Sequence, residues 1–229
     1  MQTMTHITKK EIAEGYDAVA DKILMDPGFY DHCLAMYRGY RGSVLDIGCG
    51  QGLLLKKVRL LASPGSFFTG IDISGKLCAM ARINNPDAII VQGDAESLPF
   101  KDSSFDIILM TEVVEHLLDY AKALYEVRRV LKRGGVFIVS VPNRDWASYD
   151  FYDKIRNHTW QPVDDHYFRF EEITGLLARN GFRIEKYRGL DNLFYYGWKH
   201  KFEDIAAFFL PLLHRKMKRL VFKCVNEKE

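Results

Sequence analysis

The chain carries almost no net charge: 32 lysines and arginines face 30 aspartates and glutamates, a formal balance of +2. So small an excess does not mark a polyanion binder, and nucleic acid is not the expected partner. Its four cysteines, Cys33, Cys49, Cys78 and Cys224, form no CxxC pair and show no metal-type spacing. That pattern argues for free thiols in a reducing compartment and against a disulfide framework. No apolar run approaches the ~18 residues of a membrane span; the longest is "IAAFFLPLL". The opening residues, "MQTMTHITKKEIAEGY", hold no apolar run that would serve as a signal peptide. The expected setting is cytoplasmic.

What is present is the composition of an ordinary globular enzyme, 48% hydrophobic and 27% charged over 229 residues, enough for one sizeable core. From residue 43 onward, short apolar runs alternate with helical patterns. "SVLDIG" precedes "GLLLKKVRLL", "FFTGIDI" precedes "GKLCAMARIN", and "AIIVQG" follows. "FDIILM" precedes "DYAKALYEVRRVLKRGG", and "GVFIVSV" comes next. In that long segment Asp119 reads as an N-cap, Leu124, Val127 and Leu131 as a helical stripe, and Gly134 as the stop. Continuous apolar strands between helices predict an α/β fold with a mostly parallel sheet covered on both faces. Residues 1–42 read as two helices around "MDPG", and residues 142–170 as a cap with some helix of its own.

Ligands of an open α/β sheet lie beyond the carboxyl ends of its strands. The first strand ends in "VLDIGCGQG", where Gly48, Gly50 and Gly52 allow a sharp turn and close backbone approach. A dinucleotide fingerprint needs a third small residue where Leu53 stands, and a pyrophosphate is poorly served by the nearby Asp46. A carboxylate there suits a ligand carrying an ammonium or sulfonium. Asp72, in "GIDIS", offers acceptors to two vicinal hydroxyls, as ribose requires. Asp94, in "QGDAESLPF", is placed to accept from an adenine amino group. Three acids at the ends of three successive strands trace a nucleoside.

These segments together resemble the class I S-adenosylmethionine-dependent methyltransferases over roughly residues 40–190. The resemblance implies a Rossmann-like sheet of seven strands with the last antiparallel, for which "RLVFKCV" (219–225) is the candidate. It implies S-adenosyl-L-methionine as cofactor, with Asp46, Gly48, Cys49 and Gly50 around the methionine part. Asp72 then holds the ribose, Ile73 packs on adenine, and Asp94 with the Ala95 backbone meets the adenine edge. Thr111 closes the fourth strand beside the cofactor, and Tyr16 in "EGYDAVADK" helps close over it. The expected organisation is a single methyltransferase domain, 1–229. It comprises a helical lid (1–42), a cofactor-binding core (43–189) with the cap insertion at 142–170, and a basic helix with the last strand (190–229).

"TEVVEH" (111–116) follows the fourth strand. Were it helical, Glu112, Glu115 and His116 would share one face. Three readings stand: a metal site, a general base, or acids decorating a first helical turn. The ExxEH pattern resembles that of ubiquinone-pathway O-methyltransferases and, more distantly, small-RNA 2′-O-methyltransferases. In that resemblance Glu112, Glu115 and His116, joined by His166 from "DDHYFRF", hold a divalent cation such as Mg2+. Without metal, His116 and Glu115 are the catalytic candidates.

The aromatic cap suits a flat or apolar acceptor. The segment 198–219 reads as a core-packed helix with a basic face, against a less favoured membrane-surface reading. The expected activity is O-methylation of a small-molecule hydroxyl. The alternatives are a cofactor-binding module without catalysis and an RNA 2′-O-methyltransferase.

Overall fold

A computed structural model describes residues 7–23, 27–36, 39, 41–155, 162–163, 165–191 and 211–227. Among them seven strands form one sheet: β1 (Ser43–Ile47), β2 (Phe67–Asp72), β3 (Ile89–Gln92), β4 (Phe105–Thr111), β5 (Leu131–Pro142), β6 (Phe182–Leu190) and β7 (Arg219–Asn226). Their spatial order is β3-β2-β1-β4-β5-β7-β6. The first five pair in parallel, and β7 runs antiparallel between β5 and β6. The candidate last strand at 219–225 is therefore β7.

Side-chain alternation explains why both faces must be covered. Ile108 and Met110 of β4 and Phe137 and Val139 of β5 join one buried cluster, while Ile107, Leu109 and Ile138 join another. Successive residues of a strand point to opposite faces, so these apolar runs supply two cores at once. The first core is closed by α5 (Tyr120–Val130) through Leu124 and Val127, and by α7 (Phe170–Arg179) through Ile173 and Leu177. The second is closed by α2 (Pro27–Leu34) through Phe29 and Cys33, and by α3 (Leu53–Leu61) through Leu54 and Val58. Among the described residues no helix is long and apolar enough to cross a membrane.

Two features of the periphery position the site. Helix α1 (Lys9–Val19) starts at a capping box between Thr8 and Glu11. Its Lys9 ammonium reaches Asp94 and Glu96, and its Asp17 accepts from the backbone of Lys76 in α4 (Gly75–Asn84) at 3.0 Å. In the stretch after β5, α6 (Tyr149–Ile155) is a short helix of its own.

Asp119 is the N-cap of α5, accepting from Lys122 N at 2.9 Å. The helix, however, stops at Val130 and not at Gly134. Leu131 already pairs with Phe105, and the register then shifts, so that Gly134 (φ +70°) sits in the irregular start of β5. The stop is tertiary: the buried Asn226 amide donates to the carbonyls of Arg128, Leu131 and Lys132. Residues 192–210, on which most of the expected tail helix falls, lie outside the described residues; after them Pro211–Lys216 forms a 3-10 helix.

Asn143, fully buried just past β5, stitches this last segment to the sheet. Its amide donates to Arg215 O at 2.9 Å and Met217 O at 2.7 Å, and its backbone N–H donates to Lys218 O at 3.0 Å. Asn143→Ala leaves two carbonyls without this donor and is expected to destabilise the protein by about 1–3 kcal/mol. Urea unfolding checks this, and an unchanged midpoint would show the contact to be dispensable.

Candidate active site

The strand order reverses between β1 and β4, and at the carboxyl edge of the sheet there lies a cavity of about 370 Å³, within the range of small-molecule sites. The glycine loop forms its floor. Gly48 N and Cys49 N both donate to Ile71 O, at 2.8 and 3.0 Å, which bends the chain back over β2. Gly48 is structural: a Cβ there would lie 2.3 Å from Val113 Cγ2. Gly50 differs, since it has φ +53° and a Cβ would meet nothing within 4 Å. That position opens into the cavity, so the backbone can approach a ligand closely.

The three predicted acids all line this cavity. Asp72, 8% exposed, accepts from Gly50 N at 2.8 Å and Ser74 N at 2.9 Å. Burial raises its carboxyl pKa, and these backbone donors oppose the rise. Asp46 is 1% exposed, and its Oδ2 has no partner among the described residues. Burial, and then the neighbouring Asp72, push its pKa up to about 8. Asp94 accepts from Lys9 Nζ at 3.2 Å and Glu96 N at 3.0 Å. Ile73, Ala95 and Thr111 also line the cavity. Cys49 contributes its backbone, because its side chain packs downward with Leu55 and Ala81. An orphaned buried carboxylate oxygen beside an open glycine cradle fits a ligand that brings a cation, as S-adenosylmethionine does.

Across the cavity "TEVVEH" is not one helical face. Glu112 is left-handed (φ +54°), and only Val114–His116 form a 3-10 turn. A non-glycine residue in that region costs roughly 1–3 kcal/mol. Here the tertiary contacts of Glu112 offset the strain: its N–H donates to Ser140 Oγ at 3.1 Å, and its Oε2 accepts from Arg219 Nε at 2.8 Å. Glu115 is 4% exposed, its Oε2 has no partner among the described residues, and burial raises its pKa well above the usual carboxylate range, with Glu112 adding to the shift. His116 lines the cavity with Nδ1 3.2 Å from Asp165 Oδ1, without hydrogen-bond alignment. Tyr16 from α1 meets the His116 ring edge-on at 6.1 Å, its hydroxyl buried and its pKa raised by burial first and then by Glu115.

His166 lies apart from the cavity lining. Its Nε2 contacts Glu172 Oε1 at 2.8 Å, and its ring stacks on Tyr120. The expected metal set is thus not assembled: a guanidinium holds Glu112, and a second carboxylate holds His166. Among the described residues no three metal-ligating side chains converge. These donors do not fit a divalent cation.

The sequence reading passed over Asp165, the neighbour of His166, and also Lys218 and Arg219. Asp165 carries no local signal that separates it from Asp164, and Lys218 and Arg219 stand in the basic run HRKMKR (214–219), which by itself points to no ligand.

Gly50→Ala is expected to fold, at the roughly 1–2 kcal/mol cost of a left-handed alanine, yet to lose S-adenosylhomocysteine binding, as titration calorimetry would show. The pKa of Asp46 predicts a proton effect. Below about 8 the carboxyl holds its proton, and a cationic ligand favours the ionised form. Affinity for S-adenosylmethionine should therefore strengthen as pH rises toward 8. Binding at neutral pH should release a proton, making the measured heat depend on the buffer; a buffer-independent heat contradicts this.

Residues 45–139 match the family described as "Methyltransferase domain". A probable S-adenosylmethionine-dependent methyltransferase of Mycolicibacterium smegmatis is 34% identical over 147 residues, 64% of this chain and 54% of that protein. The chain thus spans about half the length of that relative. A ubiquinone biosynthesis O-methyltransferase of Roseobacter denitrificans is 29% identical over 192 residues, 79% of this chain and 76% of that one. Among solved structures, the methyltransferase in complex with the Trm112 methyltransferase activator of Haloferax volcanii superposes with a TM-score of 0.71 at 22% identity. That superposition covers 95% of this chain and 98% of the other, and at such identity it speaks for the fold. Sequence and structure agree to this extent: residues 45–139 match a methyltransferase domain, and the sheet has the fold of the class I S-adenosylmethionine-dependent methyltransferases.

Proposed function

We propose that the protein transfers the methyl group of S-adenosylmethionine to a hydroxyl oxygen of a small molecule, with His116 as general base. The observation that carries this reading is the His116–Asp165 pair, which faces the same cavity as Asp46, Asp72 and Asp94. The bound sulfonium would supply an activated methyl, so the protein's part is alignment, worth about 7–11 kcal/mol when two reactants are held in line, together with removal of the hydroxyl proton.

Asp165 faces Nδ1 of His116 and leaves Nε2 as the ring nitrogen able to accept that proton. The Asp165 carboxylate then stabilises the imidazolium that forms. Glu115 serves poorly as a base, because burial favours its neutral form. Tyr16 and Tyr167 border the cavity and limit water near the reacting oxygen. The Roseobacter relative, named for O-methylation, supports oxygen as the nucleophile. The ion pair between Arg219 and Glu112 favours the base reading over the metal reading.

Turnover is read as S-adenosylhomocysteine released with hydroxylated acceptors. His116→Ala should lower it by about 10²–10⁴-fold while cofactor binding is retained. Dialysis against a chelator should leave the rate unchanged, and Glu115→Ala should keep most of it. A rate that survives loss of His116 but falls with the chelator reverses the assignment.

A further inference from the structure

The cavity continues past His116 to the ends of β5 and β7. Because β7 runs antiparallel to β5, Arg219 stands opposite Pro142, and the residue before it, Lys218, reaches the same edge of the sheet. Its backbone is held there by the Asn143 N–H. Lys218 lines the cavity with Pro142, Tyr152 and Tyr167, on the side away from the strand-end acids.

The charges at this end are arranged unevenly. Arg219 takes both neighbouring carboxylates, Glu112 and Asp191. Among the described residues no carboxylate lies within 4.0 Å of the Lys218 ammonium. It lies instead 5.8 Å from the Trp146 ring centroid and 5.4 Å from that of Tyr152. Ring faces attract a cation but accept no conventional hydrogen bond, so the ammonium N–H groups stay available to solvent or to a ligand. Burial, followed by the Arg219 charge, lowers the Lys218 pKa. A half-buried ammonium without an anion is costly in the empty protein, and an anionic ligand relieves that cost.

We propose that Lys218 anchors a carboxylate of the methyl acceptor, making the acceptor a monoanionic hydroxy acid with an apolar or aromatic body. This rests on the reading of the cavity as a shared donor and acceptor site. One ammonium answers one negative charge; a second charge would meet the field of Glu112 and Asp191, whose cation is already engaged. Tyr152 and Tyr167 flank the anchor and give the acceptor's body its apolar walls.

The full chain is first titrated with S-adenosylhomocysteine. Failure of that product to bind refutes the methyltransferase reading itself, before any acceptor is added. The loaded protein is then titrated with two matched pairs: 3,4-dihydroxybenzoate with its amide, and 3-hydroxydecanoate with its amide. In at least one pair the acid should bind about tenfold or more tightly than the amide. Lys218→Met should erase that preference while S-adenosylhomocysteine still binds, and Lys218→Arg should keep it. The inference is overturned if neither acid binds, if acids and amides bind alike, or if the preference survives in Lys218→Met. Tighter binding by the matching dihydroxyphenylphosphonate than by the benzoate also overturns it. The acid–amide comparison on the unmodified protein stands even should a variant fail to fold.

Discussion

Asp72 ties together the turns that follow two paired strands, β1 and β2. One oxygen accepts from Gly50 in the turn after β1, and the other from Ser74 in the turn after β2. The glycine turn is left-handed and open at Gly50, so without that acceptor its N–H would face the cavity unpaired. By taking it, a buried carboxylate sets the shape of the floor on which the ligand rests. Burial first, and then this neighbouring carboxylate, raise the Asp46 pKa, so that a cationic ligand is what favours its ionised form.

The cavity is polarised along the sheet edge. Acids gather at the ends of β1, β2 and β3, Asp46 and Asp72 among them buried, and Lys218 and Arg219 stand at the β5–β7 end. Such an arrangement favours a cationic donor at one end and an acceptor at the other, so charge helps to select orientation as well as affinity. It depends on the one strand inserted against the direction of the rest. Only an antiparallel β7 brings the chain back so that Lys218 and Arg219 arrive at the carboxyl edge of the parallel strands.

Glu112 shows how a binding motif can be diverted by its surroundings. Its spacing to Glu115 and His116 suits a metal, but the left-handed backbone turns it toward Ser140 and Arg219, a partner 107 residues away along the chain. The left-handed backbone thereby brings Glu112 to a partly buried ion pair with Arg219 and leaves His116 beside Asp165.

What the amino-acid order determined by itself was local or periodic. Continuous apolar runs announced a doubly covered parallel sheet, a tight glycine bend announced a close approach, and acids at strand ends announced a nucleoside. These signals survive without coordinates because strand and helix periods are written in neighbouring residues. The end of α5 was not legible, since Asn226 stops it from nearly a hundred residues away. Nor was the fate of the ExxEH residues, which Arg219 and Asp165 decide. Long-range ion pairs and caps leave no periodic trace, and only the folded sheet brings their partners within reach.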